Sequence, residues 1–306
     1  MANLVSSIPR KRTSTVLRRS ASDKVFHGLL MCICVIIIIV MVYPMYFVLV
    51  ASISSPAAVI NGRTWLLPAD ISLRGYGIVF ENARIWVGYR NTIMYTFVGT
   101  FISVACTMMG AYALSRKTLP FRRFFQLYFV FTMFFSGGLV PTYFVISDLG
   151  MIDTFWVMVI PFAVSVFNLV IARTFIDANI PEELFEAAKM DGCDHFRFFW
   201  QILLPLSKAI LAVLALFYAV GYWNDFFRAL IYLQSDSRVP LQLVLREILI
   251  QNQQLAGMTG GFMEQVQLAE QLKYVLIIVS TLPLLVAYPF IQKHFTKGVM
   301  IGSLKG

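Results

Sequence analysis

Long apolar runs alternate with short polar ones along the whole chain, at about residues 28–50, 91–114, 124–146, 154–175, 208–233 and 272–290. Each is close to, or longer than, the roughly 20 residues that carry an α-helix across a hydrocarbon layer about 30 Å thick. The pattern therefore predicts six membrane-spanning helices. The segments between them carry turn chemistry. Residues 52–90 hold Pro56, Gly62, Pro68 and Gly75, with one amphipathic piece around Tyr76–Ile85. Within 234–271 the run LQLVLREILIQNQQL has apolar positions at helical spacing. It is expected to lie on the outer surface or to fold back into the bundle.

Composition sharpens this picture. Hydrophobic residues make up 58% of the 306 residues and charged ones 13%, about half the charged share usual in a soluble domain. So much apolar surface needs a bilayer as its solvent. The net charge of +9 could suggest nucleic acid, but its placement argues against that. Basic residues gather in the N-terminal segment (Arg10, Lys11, Arg12, Arg18, Arg19, Lys24) and in the short turn Ser115–Arg123 (Arg116, Lys117, Arg122, Arg123). The short turn Ser147–Asp153 has two acids and no base. Lys and Arg mark the cytoplasmic side, so both termini are expected inside. Arg18-Arg19 resembles a twin-arginine signal, but the apolar run that follows is too long for a cleavable one. The expected organisation is a tail over 1–27, a transmembrane domain over 28–292 with a polar cytoplasmic loop at 176–207, and a tail over 293–306. The cysteines (Cys32, Cys34, Cys106, Cys193) suggest neither a disulfide framework nor a metal site.

Catalytic chemistry is missing from the pattern. No G-x-x-x-x-G-K-[ST] cradles a phosphate and no H-E-x-x-H offers a metal. The three histidines, His27, His195 and His294, stand isolated. This chain is not expected to be an enzyme or to bind a cofactor. Any energy for pumping would come from another subunit.

The stretch Glu186–Pro205, EAAKMDGCDHFRFFWQILLP, is the informative polar segment. Glu186, Ala187 and Ala188 form a small-residue turn of helix that a partner can approach closely. Asp191 and Gly192 follow, and glycine can take the positive φ needed between two helical pieces. The return ends at Ile202, Leu204 and Pro205. On composition alone, a partner-docking helix and a solvated amphipathic linker are both open.

Two further groups carry two readings each. Near the end of the fifth run, Tyr218, Tyr222, Trp223, Asn224, Asp225 and Arg228 place polarity in a span. Rings beside an amide and an acid suit a sugar, but they equally suit an aromatic belt with an Asp225–Arg228 ion pair. In the third run Phe134, Phe135, Ser136, Gly137, Gly138 and Pro141 could form a gating hinge or a close helix contact.

The spacing Glu-Ala-Ala, three residues, Gly, nine residues, Ile, one residue, Leu-Pro resembles the EAA loop of permease subunits of ABC importers. The whole chain, with its ending KGVMIGSLKG, resembles the carbohydrate-uptake branch, similar to the maltose-type permease, and most closely the subgroup that handles complex oligosaccharides such as plant- or host-glycan fragments. That resemblance implies an all-α, six-span type I importer fold in a prokaryotic plasma membrane, working by alternating access. It implies three kinds of partner besides lipid: a second, non-identical permease, two cytoplasmic ATPases that carry the ATP and Mg, and an extracellular solute-binding protein. Carried over by position, Glu186, Ala187, Ala188, Asp191, Gly192, Ile202, Leu204 and Pro205 would dock the ATPase. Tyr222, Trp223, Asn224, Asp225, Phe134 and Phe135 are substrate-path candidates. Cys193 stands where the family has a small residue. An ion-coupled secondary transporter would need midplane carboxylates and an internal repeat; only Asp225 qualifies as such an acid, and the sequence has no evident repeat.

Overall fold

A computed structural model describes residues 21–258 and 269–286. The chain divides into two compact units, Met1–Val48 and Leu49–Gly306. In the first, the described residues belong to α1 (Ala21–Ser52), a helix that continues into the second unit. Its side chains from Ile33 to Val42 stand exposed, nearly all of them aliphatic. That is a lipid-facing composition rather than a water-facing one.

The second unit is helical among its described residues, with one isolated bridge between Ser54 and Ile71. Two short helices, α2 (Pro56–Ile60) and α3 (Arg74–Glu81), lead to α4 (Ala83–Ser115). Then come α5 (Arg122–Phe134), α6 (Leu139–Asp148), α7 (Phe155–Val159), α8 (Val166–Asn179) and α9 (Glu182–Met190). The last five are α10 (His195–Leu206), α11 (Lys208–Trp223), α12 (Phe227–Tyr232), α13 (Leu241–Met258) and α14 (Ala269–Val286).

Helix α4 is the pillar of this unit, packed against α8, α11 and α13. One apolar cluster gathers around its N-terminal half, with Ile85, Tyr95, Val157, Tyr232, Leu241 and Leu276. A second gathers around its C-terminal half, with Met108, Tyr112, Phe185, Phe198, Leu203 and Leu214. Two glycines let neighbours approach closely. A Cβ on Gly88 would stand 2.9 Å from the Leu241 Cα, and one on Gly99 would stand 2.5 Å from the Tyr222 ring.

Several expected spans are interrupted. The second starts at Ala83 rather than near Asn91, because the Asn82 side chain accepts the Arg84 N–H at 3.0 Å and caps the helix there. The amphipathic piece expected at Tyr76–Ile85 is therefore cut at Asn82 into the end of α3 and the start of α4. The third expected span is two helices, α5 and α6, bent by 113°. Phe135 is extended and Gly138 takes φ 85°, a conformation open to glycine at little cost. The fourth is likewise split into α7 and α8 around Pro161, whose missing N–H favours a break. The fifth stops at Trp223, and Asn224–Phe226 separate it from α12. Helix α13 folds back onto the bundle through Leu241, Leu243, Val244 and Leu245 rather than lying free on a surface. Three described helices are long and apolar enough to cross a membrane, Val25–Ser52, Ala83–Ser115 and Ala269–Val286; counting the bent pairs α5–α6 and α10–α11 as single spans raises that to five. Residues 1–20 of the N-terminal tail, the C-terminal tail and residues 287–290 of the sixth expected span lie outside the described residues, while residues 21–27 of the expected tail form the start of α1.

Candidate functional site

The segment singled out in the sequence folds as a helix–turn–helix. Helix α9 begins after Pro181 with Glu182 and Glu183 in its first turn and ends with Lys189 in its last, each charge favourable to the helix dipole. Its end is a two-bond cap. The Cys193 N–H donates to the Ala188 carbonyl at 2.9 Å, and the Gly192 N–H donates to that of Lys189 at 3.0 Å. Gly192 sits at φ 78°, the left-handed position this cap requires. The Asp194 carboxylate then accepts the Arg197 N–H at 2.7 Å and caps α10. Pro205 does not end that helix. A π-helical stretch over Phe199–Leu203 lies just before it, and the chain bends by 84° between α10 and α11. The wider turn relieves the crowding a proline ring causes against the preceding carbonyls.

The two faces of this element differ. Glu186, Ala187, Asp191 and Gly192 are exposed, as are Met190, Phe196, Trp200 and Pro205. Ala188 is buried, and Ile202 and Leu204 are half-buried. The deepest anchor of the return is Leu203, with no exposed surface, rather than its neighbour Leu204.

Behind the buried face is a cluster that the sequence pattern alone did not assemble. Tyr112 and Arg116 come from the end of α4, Phe185 from α9, and His195 and Phe198 from α10. The Tyr112 hydroxyl and His195 Nδ1 are 2.8 Å apart, and the His195 ring stacks on Phe185 at 4.8 Å. Arg116 lies among the rings, 5% exposed. The signals available in the sequence were an Arg immediately after an apolar run and aromatic residues alternating with polar ones in FEAAKMDGCDHFRFF.

The substrate-path candidates fall in two places. Tyr222 and Trp223 are buried and already bonded. The Tyr222 hydroxyl pairs with Ser103 at 3.0 Å and donates to the Val159 carbonyl at 3.2 Å, while the Trp223 indole donates to the Ser280 carbonyl at 3.1 Å. Asn224 is exposed, with its amide on the Val220 carbonyl at 2.9 Å. Asp225 and Arg228 form the ion pair foreseen from their spacing, but across the break between α11 and α12 rather than along one helix face. Phe134 and Phe135 are exposed at the α5–α6 break, Phe135 stacked on Phe131 at 4.5 Å. An apolar groove of about 780 Å³ runs between α4 and α11, lined by Phe97, Thr100, Val104, Leu211, Ala215 and Trp223 among others. Of the candidates it includes Trp223 alone. Among the described residues no cluster of His, Cys, Asp and Glu could hold a metal ion.

On the face near the start of α4, Asp153 gathers donors. Its carboxylate accepts from the N–H groups of Gln234 (3.1 Å) and Ser235 (3.0 Å), from the Ser235 hydroxyl, and from Arg238 at 2.7 Å. The Ser235 hydroxyl above all, with those N–H groups and Arg238, lowers its pKa from 3.8 to about 2 against the opposing effect of burial.

Comparison with known proteins bears directly on this geometry. Residues 16–301 match the family described as binding-protein-dependent transport system inner membrane component. Protein LplC of Bacillus subtilis (strain 168) is 40% identical over 266 residues, 87% of this chain and 90% of that one. The polygalacturonan/rhamnogalacturonan transport system permease protein YtcP of the same organism is 37% identical over 288 residues, 93% of this chain and 98% of that one. Among solved structures, a chain of a bacterial ABC transporter involved in the import of the acidic polysaccharide alginate superposes with a TM-score of 0.81 at 34% identity. It covers 90% of this chain and 99% of that one.

Proposed function

Because the chain belongs to the family of binding-protein-dependent transport system inner membrane components, and is thus a membrane permease subunit of an ABC importer and not an enzyme, we propose that it forms half of a translocation pathway for oligosaccharides. The relatives named for polygalacturonan and alginate transport favour chains of acidic sugars within that class. An ion-coupled mechanism has no support in the family.

The observation that carries the mechanism is the exposed small-residue face of α9 closed by Gly192. We infer that Glu186, Ala187, Asp191 and Gly192 meet a groove in a cytoplasmic ATP-binding subunit. Ala188, Ile202 and Leu204 hold the element's shape from beneath, and Pro205 sets its exit into α11. A short helix seated in this way transmits rigid-body motion to the helices it is fixed to. Six spans with both termini inside agree with the basic residues Arg116, Lys117, Arg122 and Arg123 after α4 and the acids Asp148 and Asp153 between α6 and α7. In this reading residues 1–27 and 293–306 are cytoplasmic tails on a permease domain over 28–292, with the coupling loop at 176–207. The working assembly adds a second, non-identical permease and two ATP-binding subunits carrying ATP and Mg in a prokaryotic plasma membrane, with an extracellular binding protein delivering the sugar. Opening of the α4–α11 region would expose Tyr222, Trp223, Asn224 and Asp225, and the α5–α6 break would present Phe134 and Phe135, along the sugar's route.

Uptake of labelled oligogalacturonide by cells carrying the importer tests this. Gly192→Asp and Glu186→Lys are expected to abolish uptake while the chain remains inserted. Transport near wild type in both overturns the coupling assignment.

A further inference from the structure

Arg116 follows directly on α4 with its side chain 6% exposed, although a cation at the end of a span would ordinarily reach for water or headgroups. Its guanidinium carbon lies 5.1 Å from the Tyr112 ring, 5.2 Å from that of Phe185 and 5.9 Å from that of Phe198. Those rings belong to α4, α9 and α10. One planar cation therefore faces rings from three helices, an arrangement to which guanidinium, flat and weakly hydrated, is better suited than ammonium. Glu182 of α9 stands nearby, with its carboxylate 3.7 Å from Arg116 Nη1. That separation is too long for a hydrogen bond, and Nη1 is buried with no hydrogen-bond partner. Nε donates to the Ser115 hydroxyl at 3.3 Å.

We propose that Arg116 is the positioning residue that ties the coupling helix α9 to the pillar helix α4, so that a push on α9 moves the span rather than flexing the loop. The inference rests on the transport reading and deepens it. A loop fastened only by the chain at its ends would absorb displacement. A cation held between rings from both sides resists it, because separating the helices would break its contacts with Phe185 and Phe198 and expose those buried rings.

The test uses the assembled importer with spin labels at Lys117→Cys and Lys189→Cys. Both positions are exposed, at the ends of α4 and α9, and the native cysteines are replaced by alanine. With Arg116 present, the distance between the labels is expected to be the same without nucleotide and with ATP and vanadate. With Arg116→Gln it is expected to shift by more than the wild-type distribution's width on adding nucleotide, while ATP hydrolysis continues. Arg116→Lys, which keeps the charge without the flat group, should fall between the two. A distance that moves with nucleotide in the wild type, or that is unchanged in Arg116→Gln, overturns the proposal. If Arg116→Gln does not assemble, Phe185→Leu removes one ring and keeps the charge; it must loosen the same distance, and failure to do so also overturns the proposal. Should the wild-type chain retain no ATP-binding subunit, the transport reading fails instead. Comparison of the label distance between wild-type and Phe185→Leu isolated chains then decides whether the tie exists.

Discussion

Replacing Gly99 by alanine puts a methyl group where the structure has a ring. The new Cβ would lie 2.5 Å from the Tyr222 Cζ and 2.7 Å from both Cε atoms, well inside the 3.5–4.0 Å at which carbon atoms attract. Tyr222 has little freedom to withdraw, because it is buried and its hydroxyl is bonded to both Ser103 and the Val159 carbonyl. Overpacking a tight core costs about 1–3 kcal/mol. Losing the two hydrogen bonds as the ring swings away adds about 1 kcal/mol each. The expected destabilisation is therefore roughly 3–5 kcal/mol, read from reversible denaturation of the purified chain in mixed micelles. Gly77→Ala is the control, since nothing lies within 4 Å of its Cβ. Combining Gly99→Ala with Tyr222→Leu should recover at least about 1 kcal/mol relative to additivity, because the clashing ring is gone. A Gly99→Ala cost indistinguishable from the Gly77→Ala effect refutes the close packing of α4 on α11.

Three other outcomes follow from single positions. Gly192→Ala meets no steric obstacle but must adopt a left-handed backbone at φ 78°; it should cost about 1–2 kcal/mol of loop stability and weaken retention of the ATP-binding subunit only partly, unlike Gly192→Asp. Tyr218→Phe removes the bond to Thr107 at 2.6 Å and leaves the Ser165 N–H, 3.1 Å away, unpaired, so denaturation should report a loss of about 1–3 kcal/mol. The Asp153 carboxylate, lowered to about 2 in the folded chain, contributes stability that is present above its ordinary value and lost as pH falls from about 4 toward 2. Asp153→Asn should flatten stability across that window and, after discounting for solvent screening, cost about 1 kcal/mol at neutral pH.

Local rules made some of this architecture readable in advance. Gly192 was legible because a left-handed residue between two helical pieces leaves few alternatives, and the Asp225–Arg228 pair because their spacing is short. The break at Gly137–Gly138 was visible as a glycine pair, yet hydropathy alone merged α5 and α6 into one span, since both halves are apolar. Asn82 announced a helix start, but the polar residues after it hid that start when only apolar length was read. The stop at Trp223 carries no proline. The chain leaves helix at Asn224, where Asp225 accepts the Arg228 N–H at 3.2 Å, a local capping contact that reads in the sequence only as an ion pair. Arg116 read only as a marker of the inner side. Its burial depends on Phe185 and Phe198, which lie far along the chain, and no pattern within α4 foretells them. Leu203 rather than Leu204 became the anchor because the π-helical stretch rotates the face that α10 turns inward.

The central claim is that the exposed face of α9 is the handle an ATP-driven partner holds. Ala187→Cys, at an exposed position between Glu186 and the buried Ala188, tests it directly in membranes of cells expressing the whole importer. A short bifunctional thiol crosslinker is expected to join position 187 to the ATP-binding subunit, and an impermeant thiol reagent added outside intact cells is expected to leave it unmodified. Modification from outside, or absence of the crosslink in a complex that still hydrolyses ATP, contradicts it.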